Sequence, residues 1–172
     1  MQSRIFLIGF MGSGKSTLGS RLAREIGYQH VDMDHLIEET AEMSVPGIFS
    51  EHGEAVFRKW EQDILGELCQ REKIVVSTGG GAPCHHNLID VMNQQGTTLY
   101  IHLAPEVLQA RLMRSRTERP LIRGKSPDEL LEYIRGKLSE REPFYLKAHH
   151  VVNGEYLKIE ELVTLLTEQR TG

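Results

Sequence analysis

Lys15 and Ser16 close the stretch Gly9-Phe10-Met11-Gly12-Ser13-Gly14-Lys15-Ser16, a G-x-x-x-x-G-K-S pattern. At this spacing the residue types make a phosphate-binding loop. Gly9, Gly12 and Gly14 let consecutive backbone N–H groups turn inward, Lys15 adds a point charge at the β/γ-phosphates, and the Ser16 hydroxyl can ligate Mg²⁺. The flanks suit the motif. Arg4 to Ile8 is a short apolar β-type run, and Leu18, Leu22, Ala23 and Ile26 recur at helical spacing. A strand, a glycine loop and a helix N-terminus define the donor half of a phosphoryl-transfer site.

Other residues could complete it. Asp32 and Asp34 stand two apart where a second strand should end, which in extended chain puts both side chains on one side. One carboxylate can hold Mg²⁺ and the other can meet a hydroxyl nucleophile and take its proton late in transfer; the plainer alternative is a helix N-terminus rich in Asp. No hydrophobic strand ends in the Asp of a Walker B motif, so Asp32 is the best supply of a metal carboxylate. Gly79-Gly80-Gly81 follows the β-branched run Ile74 to Thr78, and three glycines there suit backbone that must approach a ligand closely. Arg58 and Arg141 can be read as solvated helix charges or as bidentate grips for a carboxylate. Arg111, Arg114, Arg116, Arg119, Arg123 and Lys125 crowd one polar segment. That segment, about 111–125, reads as a lid that closes on phosphates and excludes water. The pairs His85-His86 and His149-His150 lack the i,i+4 spacing of a zinc site, and Trp60 reads as core.

These residues need elements to place them. Short apolar runs alternate with helical patterns: strands near Tyr28–Val31, Lys73–Thr78, Thr97–Leu103 and His149–Val152 follow the first. Helices are expected after Asp34, over Ile48–His52 and Glu54–Arg71 with Gly53 between, over Asn87–Gln94, after Pro105, from Pro127 to about Ala148, and over Lys158–Gln169. Repeated βαβ units favour a parallel sheet covered on both faces, with ligands outside the carboxyl ends of the strands. The chain has 172 residues, 40% hydrophobic and 26% charged, with net charge −4, as expected of one compact domain over 1–172. The acidic balance argues against nucleic acid as partner. Two cysteines make no disulfide framework, and no apolar run approaches the roughly 18 residues of a membrane span. With the first strand starting by residue 4 there is no room for a signal peptide, and the expectation is a cytoplasmic protein.

Taken together, the phosphate loop, Asp32-x-Asp34, Phe57-Arg58, Ser77-Thr78-Gly79-Gly80-Gly81-Ala82, Arg119-Pro120-Leu121 and Arg141-x-x-x-Tyr145 resemble, in order and spacing, the shikimate kinases. The resemblance covers essentially the whole chain. It implies an α/β, three-layer P-loop NTPase fold of the nucleoside-monophosphate-kinase type, with a five-stranded parallel sheet of order 2-3-1-4-5, shikimate-binding helices over about 33–60 and a mobile lid. It implies transfer of the γ-phosphate of ATP to the 3-hydroxyl of shikimate, on the route to chorismate and the aromatic amino acids, by a monomer using Mg²⁺. Carried over by position, Gly12, Ser13, Gly14, Lys15, Ser16 and Thr17 wrap the ATP phosphates, Ser16 and Asp32 serve the metal, and Arg119 reaches the phosphates from the lid. Asp34, Arg58, Arg141 and the glycines Gly79, Gly80 and Gly81 hold shikimate, with Lys15, Asp34 and Arg119 as the catalytic set. Many members carry an Arg near the adenine where Asn153 stands here, so any adenine contact at Asn153 must differ.

Two other readings compete. One is a related kinase of another small acceptor, such as gluconate or a nucleoside monophosphate; the Asp pair with Arg58 and Arg141 favours a carboxylated polyol. The other is a nucleotide switch without turnover, for which the chain lacks an N-K-x-D motif.

Overall fold

The structure is a computed structural model that describes residues 3–115 and 120–168. Strands β1 (Arg4–Ile8), β2 (Gln29–Asp32), β3 (Ile74–Ser77), β4 (Thr97–His102) and β5 (His150–Asn153) form one parallel sheet in the order β2-β3-β1-β4-β5. This is the fold class and strand order expected. Strand β1 lies at the centre, with Leu7 opposite Ser77 of β3 on one side and Leu99 of β4 on the other. Ile5, Phe6, Leu7 and Ile8 are all fully buried, because successive side chains enter opposite layers and both are covered. Phe6, Ile8, Val76 and Tyr100 face one apolar layer; Ile5, Leu7, Val75 and Leu99 face the other.

Among the described residues, seven α-helices supply those layers: α1 (Lys15–Ile26), α2 (Met33–Ala41), α3 (Val45–Leu68), α4 (Leu88–Gln95), α5 (Pro105–Arg114), α6 (Pro127–Tyr145) and α7 (Ile159–Glu168). Helix α1 stops at Gly27, which takes φ 70° and returns its N–H to the Ala23 carbonyl. Helix α6 opens on a capping box: the Ser126 hydroxyl accepts from the Glu129 N–H, and the Glu129 carboxylate accepts from the Ser126 N–H.

Three boundaries differ from expectation. Ile48–His52 and the helix from Glu54 are the two segments of α3, separated at Gly53 (φ 79°, ψ 171°) as expected, but the second stops at Leu68 rather than Arg71. Helix α6 ends at Tyr145, two residues past Pro143, rather than at Ala148. Arg111 and Arg114 belong to α5, so the segment expected as a lid from 111 is helical through Arg114. A 3₁₀ turn follows at Pro120–Ile122. Arg116 and Arg119 lie outside the described residues. Among the described residues no helix is long and apolar enough to cross a membrane.

Candidate active site

The donor half forms where β1 meets α1. Gly12 and Gly14 take φ 78° and 93°, a left-handed backbone that glycine adopts without strain and that lets the loop wrap the first turn of α1. Lys15 Nζ donates to the Gly9 carbonyl at 2.8 Å and the Phe10 carbonyl at 2.9 Å, so the ammonium lies over the loop it serves. Ser77 Oγ donates to the Lys15 carbonyl at 2.9 Å, tying the start of α1 to the end of β3. The Ser16 hydroxyl donates to the Asp32 carboxylate. The other Asp32 oxygen accepts from the His35 N–H at 3.3 Å and caps α2.

The two aspartates therefore do not share a strand face. The helix begins at Met33, so Asp32 closes β2 while Asp34 lies in the first turn of α2. Their side chains part, Asp32 toward the phosphate loop and Asp34 toward Gly79. Loop and aspartates line a cleft of about 500 Å³ that also takes in Thr17, Thr78, Gly80 and Arg111. A hydroxyl and a carboxylate in contact beside a phosphate loop suit a hard divalent cation completed by phosphate and water oxygens. Among the described residues no cluster of three or more His, Cys, Asp or Glu offers an all-protein site.

The acceptor half gathers on Gly79-Gly80-Gly81. A Cβ on Gly79 would stand 2.7 Å from Asp34 Oδ1 and 2.9 Å from Glu61 Oε1; one on Gly81 would stand 2.6 Å from Arg58 Nη2. A Cβ on Gly80 would sit 3.4 Å from Arg141 Nη1, and equally close to the Gly9 carbonyl oxygen and the Met11 nitrogen of the phosphate loop. Side chains from α2, α3 and α6 thus close on one short piece of backbone that also abuts the donor loop. Tyr145 Oη donates to the Gly80 carbonyl at 2.6 Å and fixes that peptide, and the Arg141 guanidinium lies 5.6 Å over the Phe10 ring.

Arg58 is buried, not solvated. Its Nη1 donates to Glu61 Oε2 at 2.7 Å, and its Nε and Nη2 donate to Glu54 Oε1 at 3.2 and 3.0 Å. Burial opposes charge on both sides of the Arg58–Glu61 pair. For Arg58 the carboxylates outweigh it and the pKa rises; for Glu61 the guanidinium does not, and the carboxyl is pushed up to about 7. Asp34 is also raised, by burial first and then by the Asp32 charge, against the opposing pull of Lys15 and Arg58. Asp34 Oδ1 and Glu61 Oε1 are enclosed without a hydrogen-bond partner among the described residues. An unsatisfied buried acceptor costs about 1–3 kcal/mol, which marks this spot as built for something other than stability.

Gly12, Gly14, Lys15, Ser16, Thr17, Asp32, Asp34 and Gly80 line the cleft, with Gly79, Gly81, Arg58 and Arg141 against it. Ser13 lines a neighbouring hollow of about 340 Å³ with Arg21, Arg111, Gly154 and Glu155, and its Oγ is enclosed without a partner among the described residues. The structure does not bring the Asn153 side chain there: Asn153 Oδ1 accepts from the Glu155 N–H at 2.9 Å, and Asn153 borders another hollow with Tyr156 and Leu157. Sequence reasoning put Arg111 in the lid; it lies instead on α5, where its Nη1 and Nη2 donate to the Ser13 and Gly154 carbonyls at 3.2 and 3.3 Å. The same reasoning missed Glu61, although a signal existed. Phe57, Glu61, Ile64, Leu65 and Leu68 form one buried stripe of α3, and a carboxylate within such a stripe needs a cation.

A glycine loop opening α1 beside a central parallel strand, with Asp34, Arg58 and Arg141 gathered on a glycine triplet next to it, is the arrangement of a P-loop phosphotransferase acting on a small polar acceptor. Residues 11–170 match the family model for shikimate kinase. The shikimate kinase of Bacteroides thetaiotaomicron is 42% identical over 155 residues, covering 90% of this chain and 89% of that protein. A crystal structure of shikimate kinase from the same organism superposes with a TM-score of 0.90 at 41% identity, over 96% of this chain and 97% of that one. Shikimate kinase from Acinetobacter baumannii, solved in complex with shikimate, gives 0.86 at 30% identity over 100% and 97%. The chain belongs to the shikimate kinase family.

Proposed function

We propose that this site transfers the γ-phosphoryl group of ATP to the 3-hydroxyl of shikimate, with the phosphate loop holding the donor and the glycine triplet holding the acceptor. Family membership makes the chain an ATP-dependent shikimate kinase of aromatic biosynthesis; the roles of its residues are what the geometry adds. One observation carries them: Asp34, Arg58 and Arg141, far apart in sequence, converge on Gly79–Gly81 beside the loop that bears Lys15.

In this reading the backbone N–H groups of Gly12 to Thr17 take the phosphates and Lys15 neutralises charge on the transferred group. Ser16 and Asp32 would hold Mg²⁺, which when bound neutralises phosphate charge. Arg58 and Arg141 take the acceptor carboxylate. The Asp34 carboxylate, which lines the cleft, takes a ring hydroxyl, orients it in line, and accepts its proton late in transfer. Arg111, Gly154 and Glu155 border the hollow beside the loop, which suits the nucleoside base better than Asn153 does. Arg119, which lies outside the described residues, is assigned to the phosphate shell as part of the lid expected over about 111–125, of which α5 takes the start. We assign the whole chain to one domain, a monomer in the cytoplasm with no nucleic-acid or membrane partner; net charge −4 supports the absence of nucleic acid, and two free cysteines fit a reducing compartment.

The test is Arg58→Ala. Truncating one partner of a buried, hydrogen-bonded charge pair costs enough to raise the shikimate KM by about 30-fold or more, with the ATP KM changed less than about threefold. Equal effects on the two KM values contradict the assignment of Arg58 to the acceptor.

A further inference from the structure

Three of the five N–H donors of Arg58 point at carboxylates of its own helix. Glu61 takes one, on Nη1, at 2.7 Å; Glu54 Oε1 takes Nε and Nη2 at 3.2 and 3.0 Å. The Nε/Nη2 side is one of the guanidinium edges that grips a carboxylate through two parallel bonds. Glu54 already fills it, and Glu61 draws on the other edge through Nη1. An acceptor carboxylate that engages Arg58 bidentately must either take the Nε/Nη2 edge from Glu54 or share Nη1 with Glu61.

Exposure decides which. The Glu61 side chain is 1% exposed and that of Glu54 is 59% exposed. Breaking the buried pair strands a charge, whereas an exposed ion pair is weak and its carboxylate can return to water. Glu54 also stands directly after the break at Gly53, at the start of the second segment of α3. His85 Nε2 lies 4.0 Å from its Oε1.

We infer that Glu54 is a built-in competitor of the acceptor: its carboxylate holds the Nε/Nη2 edge of Arg58 and yields it when the acceptor carboxylate arrives. Acceptor binding at Arg58 is then an exchange of one carboxylate for another. The exchange sets how tightly the acceptor binds. It also selects against neutral polyols, which cannot take the edge from Glu54. The inference rests on the reading of the acceptor as shikimate.

Glu54→Gln and Glu54→Asp test it in the full-length enzyme, the first removing the charge and the second keeping the charge but drawing it back by one methylene. Both should lower the shikimate KM, and the shikimate Kd measured calorimetrically without ATP, by about 2- to 5-fold, the worth of an exposed ion pair. The ATP KM should stay within about twofold. A rise in KM and Kd for Glu54→Gln would show instead that Glu54 positions Arg58 for the acceptor, and overturns the proposal, as would no change in either variant. A fall with Gln but not with Asp points to a long-range charge effect and overturns the contact itself. Wild-type turnover of shikimate, measured in parallel, separates the two levels. If it is present, a failed variant result sinks only the competitor; if it is absent, the acceptor reading falls and takes the competitor with it.

Discussion

Lys15→Ala should lower kcat by about 10²- to 10³-fold, the usual cost of removing one preorganised electrostatic group from a transition state. The lysine lies along the loop with Nζ on the Gly9 and Phe10 carbonyls. It is therefore already oriented over the place where phosphate oxygens must sit and needs no reorganisation when charge develops. Lys15 itself lines the open cleft, so water can enter the space its ammonium leaves and reach the loop. The variant should accordingly melt within a few degrees of wild type. Steady-state kinetics and a thermal melt on the same preparation check both halves. A kcat above a tenth of wild type would remove Lys15 from the catalytic set, and a collapsed melt would make the kinetic loss uninformative about phosphate.

Asp34→Asn should be as costly to kcat, about 10²- to 10⁴-fold, while leaving the fold at least as stable. The stability sign follows from the raised pKa of Asp34. Burial holds its folded carboxyl above its usual 3.8, so the folded state binds a proton more readily than the unfolded chain. The neutral form is then favoured in the folded protein, and ionisation costs stability as pH rises through the folded pKa. At neutral pH the isosteric amide removes that cost, so the melting temperature should be equal or higher. The pH–kcat profile of the wild type should carry an acid limb, rising as Asp34 ionises, and the Asn variant should lose it. An unchanged kcat would reduce Asp34 to a partner of the ring hydroxyls.

The donor half was readable because it is local. Six consecutive residues from Gly12 to Thr17, one strand before and one helix after, carry the whole chemical idea. The strands carried the sheet in the same way, through short β-branched runs between helical patterns. The acceptor half is different in kind. Arg58 on α3 was open to reading as a solvated helix charge; only the folded helix shows Phe57, Arg58 and Glu61 turned inward together, with Val56 and Lys59 exposed. Glu61 could have been singled out by its place in the apolar stripe of α3, but Glu54 could not be told from other helix acids until its distances to Arg58 were known. The aspartates show a boundary effect: one residue of difference in where α2 begins separates two side chains that an extended strand would have kept together. Asn153 was tied to the adenine through the resemblance alone, and its own Asx turn with Glu155 takes the side chain away. What stayed hidden was in each case long-range pairing or the position of an element's end, neither of which is written in any single stretch of sequence.

The central claim is that a carboxylated polyol, not another small alcohol, receives the phosphoryl group. ADP release from ATP and Mg²⁺, measured with shikimate, with gluconate and with no acceptor, tests it most directly, with the product read by phosphorus-31 and proton NMR. Shikimate should stimulate ADP release far above the other two and give a single phosphate ester at the 3-hydroxyl. ADP release that shikimate leaves at background while another acceptor raises it, or an ester at a different hydroxyl, would contradict the account.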